Sequence, residues 1–133
     1  MDEIGPEPER AIYALSVAAA LLEEAKIQSE ETASVETIIK ARDSMRIACS
    51  AILFKDGYIA PDFDSSFSYL RSKYGEKVPL NEWKDIEQMA KASPLDRITN
   101  LLGLAKDQGH KNAKKALESA GRFLEASGAL ITE

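Results

Sequence analysis

The only histidine, His110, limits the chemistry that this chain of 133 residues could perform. A metal site built on a histidine pair, or the Glu-x-x-His signature of di-iron bundles, needs more than one histidine. His110 lies beside Gly109 and Lys111 in a polar stretch, which is typical of an exposed junction between two helices. The alternative interpretation is a general acid or base, as in a divergent ribonuclease that uses His110 with Arg122 or Lys106.

A second pattern that could carry chemistry is the acidic pair Glu82 and Asp85, which stand one helical turn apart. Carboxylates at this spacing share a cation in all-α nucleotide pyrophosphohydrolases, where another acidic pair completes the site. Glu23 and Glu24 do not have the matching spacing, although a metal-dependent nucleotide hydrolase stays an alternative. We predict no metal ligand, no cofactor and no catalytic residue. A protein without enzymatic activity is the favoured interpretation, and an enzyme is the alternative.

Cationic residues in two regions are candidates for contact with phosphate or nucleic acid. Arg42 and Arg46 are four residues apart and therefore share one face of a helix. The C-terminal region is also locally basic, through Lys106, His110, Lys111, Lys114, Lys115 and Arg122. The alternative is a solvated or salt-bridged surface, because acidic residues are interleaved and a net charge of -5 disfavours broad attraction to nucleic acid.

Aromatic residues are concentrated in the middle of the chain, where Phe63, Phe67 and Tyr74 recur at helical spacing. This spacing favours a place in the core. Because aromatic anchors are enriched in interfaces, the same three residues are also candidates for a dimer surface.

Composition predicts one domain spanning residues 1–133, since 44% hydrophobic and 29% charged residues are ordinary for a globular protein. Cys49 lies between Ala48 and Ala51 and cannot form an internal disulfide, so we expect it to pack as a small apolar residue. No basic and apolar leader precedes the first helix, and the longest apolar run, Ala14 to Leu22, is shorter than the roughly 20 residues that span a bilayer. We therefore predict a cytoplasmic protein without membrane contact.

The elements that must position these residues are all helices. Apolar residues at helical spacing predict a first helix from about Glu7 to about Ser29, with Ile12 and Ala19 on an apolar face. A second helix follows the candidate N-cap Ser34 and ends near Lys55. Two such helices joined by a short polar turn form an antiparallel hairpin.

Three or four further helices complete the prediction. The third is capped by Asp62 or Asp64 and ends at Gly75, and the fourth opens at Asn81. Ser93 and Pro94 start a fifth helix. Gly109 either breaks the chain before a sixth helix or lies inside one long helix at a cost of about 1 kcal/mol, and we favour the break. The fold class is thus an all-α antiparallel bundle of five to six helices, with the last apolar residues, 129–131, free to dock on a partner.

The second helix and the joint that follows it resemble those of the HEPN domains, a family of small helical bundles. The similarity rests on Ala41-Arg42, on the small and apolar residues from Ala48 to Leu53, and on the joint from Gly57 to Pro61, and it spans roughly Arg10 to Leu102. Archaeal paralogue families of the PaREP type look especially similar in size and in this joint.

This resemblance implies an up-and-down helical core and a homodimer, often with a nucleotidyltransferase-type protein partner in toxin–antitoxin or defence systems. Active members cleave RNA with an Arg that is followed four to six residues later by a His. Neither Arg71 nor Arg97 has a His in that window. We therefore expect a non-catalytic HEPN-like bundle that acts by homodimerisation and by binding a protein or nucleotide partner, with a divergent ribonuclease or a nucleotide hydrolase as the alternative.

Overall fold

A computed structural model of the chain describes residues 1–31, 35–91 and 106–132. Helices cover 83% of these residues, which confirms the all-α class. In chain order the elements are β1 (Asp2–Glu3), α1 (Pro8–Glu31), α2 (Val35–Asp56), β2 (Tyr58–Ile59), α3 (Phe63–Tyr74), α4 (Leu80–Ala90) and α5 (Lys106–Thr132). The predicted cap Ser34 and the predicted helix that begins at Ser93 and Pro94 lie outside the described residues.

The α1–α2 hairpin is packed through small side chains. The face of α1 that meets α2 and α5 consists of Ala11, Ala14, Ala18, Leu22 and Ala25. Alanine lets two helix axes approach closely, and it costs no side-chain entropy. At this seam the buried hydroxyl of Ser44 donates to the carbonyl of Ala18 at 2.7 Å, which satisfies a polar group that no water reaches.

The first residues of the chain pair with the joint after α2. Asp2–Glu3 forms a two-residue antiparallel ladder with Tyr58–Ile59, and the amide of Ile4 donates to the carbonyl of Gly57 at 2.8 Å. Gly57 has a φ of +94°, and a Cβ there would lie 2.7 Å from the Gly5 carbonyl carbon. Only glycine fits this crossing. The sequence predicts no strand here, because two residues are too few for a recognisable alternation.

α3 and α4 meet α5 around one tryptophan. The carboxylate of Asp62 accepts from the amide of Ser65 at 2.7 Å, which confirms Asp62 as the N-cap of α3. Trp83 on α4 is 1% exposed and contacts Phe63, Phe67 and Phe123, with its ring centroid 4.7 Å from that of Phe63. No described group accepts a hydrogen bond from the indole Nε1.

The prediction of a helix break at Gly109 is wrong. α5 begins at Lys106 and runs through Gly109 to Thr132. A penalty of about 1 kcal/mol does not stop a helix whose inner face buries Ala113, Ala116 and Phe123 completely. The chain end also differs from expectation, since Leu130 and Ile131 pack in the core of their own chain.

One cluster of buried apolar residues joins α1, α2, α4 and α5, and α3 adds Leu70 to it. Cys49 is 1% exposed within this cluster, as the sequence predicts. No helix within the described ranges is long and apolar enough to cross a bilayer.

Candidate functional site

Arg46, a predicted phosphate contact, is engaged within the chain. Its guanidinium donates two hydrogen bonds of 2.6 Å to the carboxylate of Glu87, which lies on α4 and is 2% exposed as a residue. The hydrogen bond to Glu87 raises the pKa of Arg46, although partial burial opposes that shift. Because Glu87 is nearly inaccessible to water, removing Arg46 would leave a buried charge without a partner. The ion pair ties α2 to α4, and Arg46 is therefore not a free cation.

Arg122, another predicted phosphate contact, pairs with Glu82. Its Nε lies 3.0 Å from Oε1 of Glu82, its terminal nitrogen also contacts that oxygen, and Ser119 donates to the same carboxylate at 3.3 Å. The hydrogen bond from Arg122 lowers the pKa of Glu82, against a smaller effect of burial. Arg122 engages both oxygens of the Glu82 carboxylate, so neither oxygen is free to bind a metal cation. No group of three or more metal-binding side chains occurs among the residues that the structure describes.

The other two predicted cationic contacts differ from this pattern. The described partner of Arg42 is its neighbour Asp43, at 2.9 and 3.1 Å, and the Arg42 side chain is 19% exposed, so it is held locally along α2. His110 is the fifth residue of α5, and its side chain lies outside the described part of the chain. The structure therefore brings no two of Arg42, Arg46, Arg122 and His110 into one site that we can describe.

The predicted interface residues of α3 are half-buried against their own chain. Phe63 and Phe67 pack on Trp83. The hydroxyl of Tyr74 donates to Oδ2 of Asp56 at 2.7 Å. These contacts place Phe63, Phe67 and Tyr74 at the edge of the core, which explains their helical spacing. A role of these residues in a dimer stays a prediction.

Asp56 is the centre of a polar cluster that sequence reasoning missed. Its side chain is 8% exposed, and its Oδ2 accepts hydrogen bonds from the hydroxyls of Tyr69 and Tyr74, both at 2.7 Å, with Lys73 Nζ at 3.1 Å. Burial opposes the charge, but the two hydroxyls and Lys73 outweigh it and hold the pKa of Asp56 below its ordinary value. Burial and the nearby carboxylate raise the pKa of Tyr69. This cluster fastens α3 to the end of α2.

A groove of about 520 Å³ lies between the end of α3 and the start of α4. Phe67, Val78 and Leu80 form its apolar part, while Arg71 and Lys84 line its polar part. Neither of these two cations has an ion-pair partner among the described residues. The carboxylate of Glu82, which pairs with Arg122, lines the groove as well, so the two cations that could meet a phosphate stand beside one neutralised acid.

Cys49 does not supply a nucleophile. Burial raises the pKa of its thiol to about 12, although a hydrogen bond with Ser66 acts in the opposite direction. The thiolate, which is the reactive form, is therefore almost absent at neutral pH.

Among the described residues, the most exposed apolar side chains of any helix lie on α1, on the side away from α2 and α5. The exposed, uncharged residues on this side are Ile12, Tyr13, Ser16, Val17, Ala19 and Ala20. We call this set the outer face of α1. Tyr13 is 73% exposed, Ile12 54% and Val17 39%. Ile12 and Ala19, which the sequence places on an apolar face of α1, lie on its exposed side, because the inner face consists of four alanines and Leu22.

A clearer signal was present in the sequence. Between Arg10 and Glu23 no charged residue occurs on any side of α1, so that stretch leaves apolar residues for the outside whichever face is buried. A helix that is apolar all round is usually buried or bound on more than one side.

No protein-family model matches this chain, and no curated protein or solved structure is significantly similar to it. The geometry defines a class, an all-α bundle built on a long hairpin.

Proposed function

We propose that this chain is a non-catalytic, HEPN-like helical bundle that acts by homodimerisation and by binding a further protein or nucleotide partner. The single observation that carries the proposal is the outer face of α1. A surface helix of a monomer normally presents charged residues to water, whereas two turns of α1 present Ile12, Tyr13 and Val17.

The engaged charges support a role without catalysis. Arg46 and Arg122, which could have polarised or bound a substrate, each neutralise a carboxylate of α4. The buried thiol of Cys49 is held protonated. What these side chains do is fasten helices together, which suits a binding module.

A nucleotide as the further partner is favoured by the groove at the α3–α4 junction. Arg71 and Lys84 could meet phosphate oxygens there, and the half-buried ring of Phe67 could contact a base or sugar. Titration calorimetry with ATP tests this directly. We expect Arg71→Ala to weaken any binding at least about tenfold, a loss of roughly 1.4 kcal/mol, and Arg42→Ala to leave it unchanged.

The mass of the purified protein in solution tests the central proposal. Light scattering over a range of concentrations should give about twice the chain mass of 14.6 kDa. A single-chain mass at every concentration would contradict homodimerisation. The same preparation should leave a single-stranded RNA intact, and cleavage that is lost in His110→Ala would instead establish the ribonuclease alternative.

A further inference from the structure

We propose that the homodimer seam is formed by two copies of the outer face of α1, packed antiparallel about a twofold axis that passes beside Ser16 and Val17. This inference rests on the proposed homodimerisation and specifies its geometry. A twofold axis makes the same surface serve both subunits, so the face must be complementary to itself.

The distribution of side-chain sizes gives that self-complementarity. Large residues stand at the N-terminal end of the outer face, at Ile12 and Tyr13, and small ones stand two turns later, at Ala19 and Ala20. Antiparallel pairing about Ser16 and Val17 places each Tyr13 over Ala20 of the partner subunit. Parallel pairing would instead place tyrosine against tyrosine and alanine against alanine, which leaves a gap along half the seam.

Charge favours the antiparallel over the parallel arrangement. In the antiparallel register, Arg10 of one copy lies opposite Glu23 of the partner subunit, although Arg10 also contacts Glu7 of its own chain at 3.1 Å and lies over a phenylalanine ring of α2. The same register sets Glu9 opposite Glu24 of the partner subunit, so one pair attracts and the other repels. A parallel dimer would bring like charges together at all of these positions.

The exposed area is sufficient for a modest dimer. From the exposed fractions, the outer face together with Ile27, which is 59% exposed, offers about 500 Å² of mainly apolar surface on each copy. Two copies would bury at most about 1,000 Å², which is near the lower bound for a specific interface. We therefore expect a dimer that dissociates on dilution rather than an obligate one.

Cysteine cross-linking tests the seam and its direction. Ser16→Cys places two thiols next to the axis, where the Cα atoms come within disulfide range, so oxidation with copper phenanthroline should give a covalent dimer. Ile27→Cys is the matched variant on the same helix, because antiparallel pairing separates its two copies by about 30 Å. It should stay monomeric on a denaturing gel. The buried Cys49 makes the wild type a suitable blank.

A charge on the outer face gives a second readout. Tyr13→Asp should raise the dissociation constant of the dimer at least about tenfold in sedimentation equilibrium, while Ala129→Asp on the exposed side of α5 should not. Both positions are exposed, so the melting temperatures of the two variants should stay close to that of the wild type.

The outcomes separate this inference from the proposed function. A wild-type monomer contradicts both. A wild-type dimer in which Ser16→Cys does not cross-link and Tyr13→Asp does not dissociate overturns the α1 seam alone. Cross-linking of Ile27→Cys with itself overturns the antiparallel direction.

Discussion

The two halves of this molecule are held together by opposite kinds of packing. The α1–α2 hairpin closes through alanines and through the buried hydroxyl of Ser44. The junction of α3, α4 and α5 closes through the rings around Trp83 and through ion pairs that reach from α4 to α2 and α5. The first region depends on close approach of backbones and the second on the area of large side chains.

This difference determines which changes each region tolerates. A seam of alanines has little side-chain volume that truncation could remove. Any added atom destabilises it, because the closely packed helices leave no room for a larger side chain. An aromatic junction is sensitive to truncation, because each ring that is removed leaves a cavity. The following experiments test that contrast.

Truncating the tryptophan should have the largest effect. Trp83→Ala removes the ring that Phe63, Phe67 and Phe123 contact, and we expect it to lower the free energy of unfolding by about 3–5 kcal/mol in urea denaturation. Lys84→Ala, at the exposed neighbouring position of α4, should change it by less than about 0.5 kcal/mol. A small loss for Trp83→Ala would show that the junction is not tightly packed.

Enlarging the alanine seam should have an intermediate effect. Ala18 is fully buried, and its carbonyl accepts the hydrogen bond of Ser44, so Ala18→Leu should cost about 1–3 kcal/mol of unfolding free energy. Ala129→Leu makes the same change at an exposed position of α5 and should be nearly neutral. Equal stabilities of the two variants would contradict close packing at the hairpin seam.

Neutralising Asp56 should have the smallest effect, and one that depends on pH. Because the pKa of Asp56 is lowered in the folded state, its charge contributes stability above the unfolded value of about 4, and that contribution is lost as pH falls through the folded value. Asp56→Asn should cost about 1 kcal/mol at pH 7 and less at pH 3.

Urea midpoints at the two pH values measure this difference. The exposed Asp64→Asn on α3 is the control and should retain the acid response of the wild type. A penalty for Asp56→Asn that is equal at pH 7 and pH 3 would show that its charge does not fasten α3 to α2.

The sequence predicts the helices well, because caps and helical spacing are local properties. The Asp62 cap and the end of α2 near Lys55 were both expected. Gly109 was misjudged because the signal of a helix breaker is local, whereas the burial of Ala113, Ala116 and Phe123 that outweighs it is a tertiary effect.

The candidate site was less predictable for the same reason. The sequence shows that Arg46 and Arg122 are cations, but not that Glu87 and Glu82 come from distant positions to meet them. It also cannot reveal which side of an alanine-rich helix faces inward, since alanine is equally suited to either. The outer face of α1 became visible only when Ala14 and Ala18, rather than Ile12, were found inside.

The position of Trp83 has an optical consequence. It is the only tryptophan of the chain, it is 1% exposed, and no described acceptor bonds its indole nitrogen. An indole shielded from water emits at shorter wavelengths than one in solution. The emission maximum of the native protein should therefore lie at short wavelength and move to longer wavelength when α3, α4 and α5 separate. The single tryptophan therefore reports on this junction through its own fluorescence, and no label is needed to follow its opening.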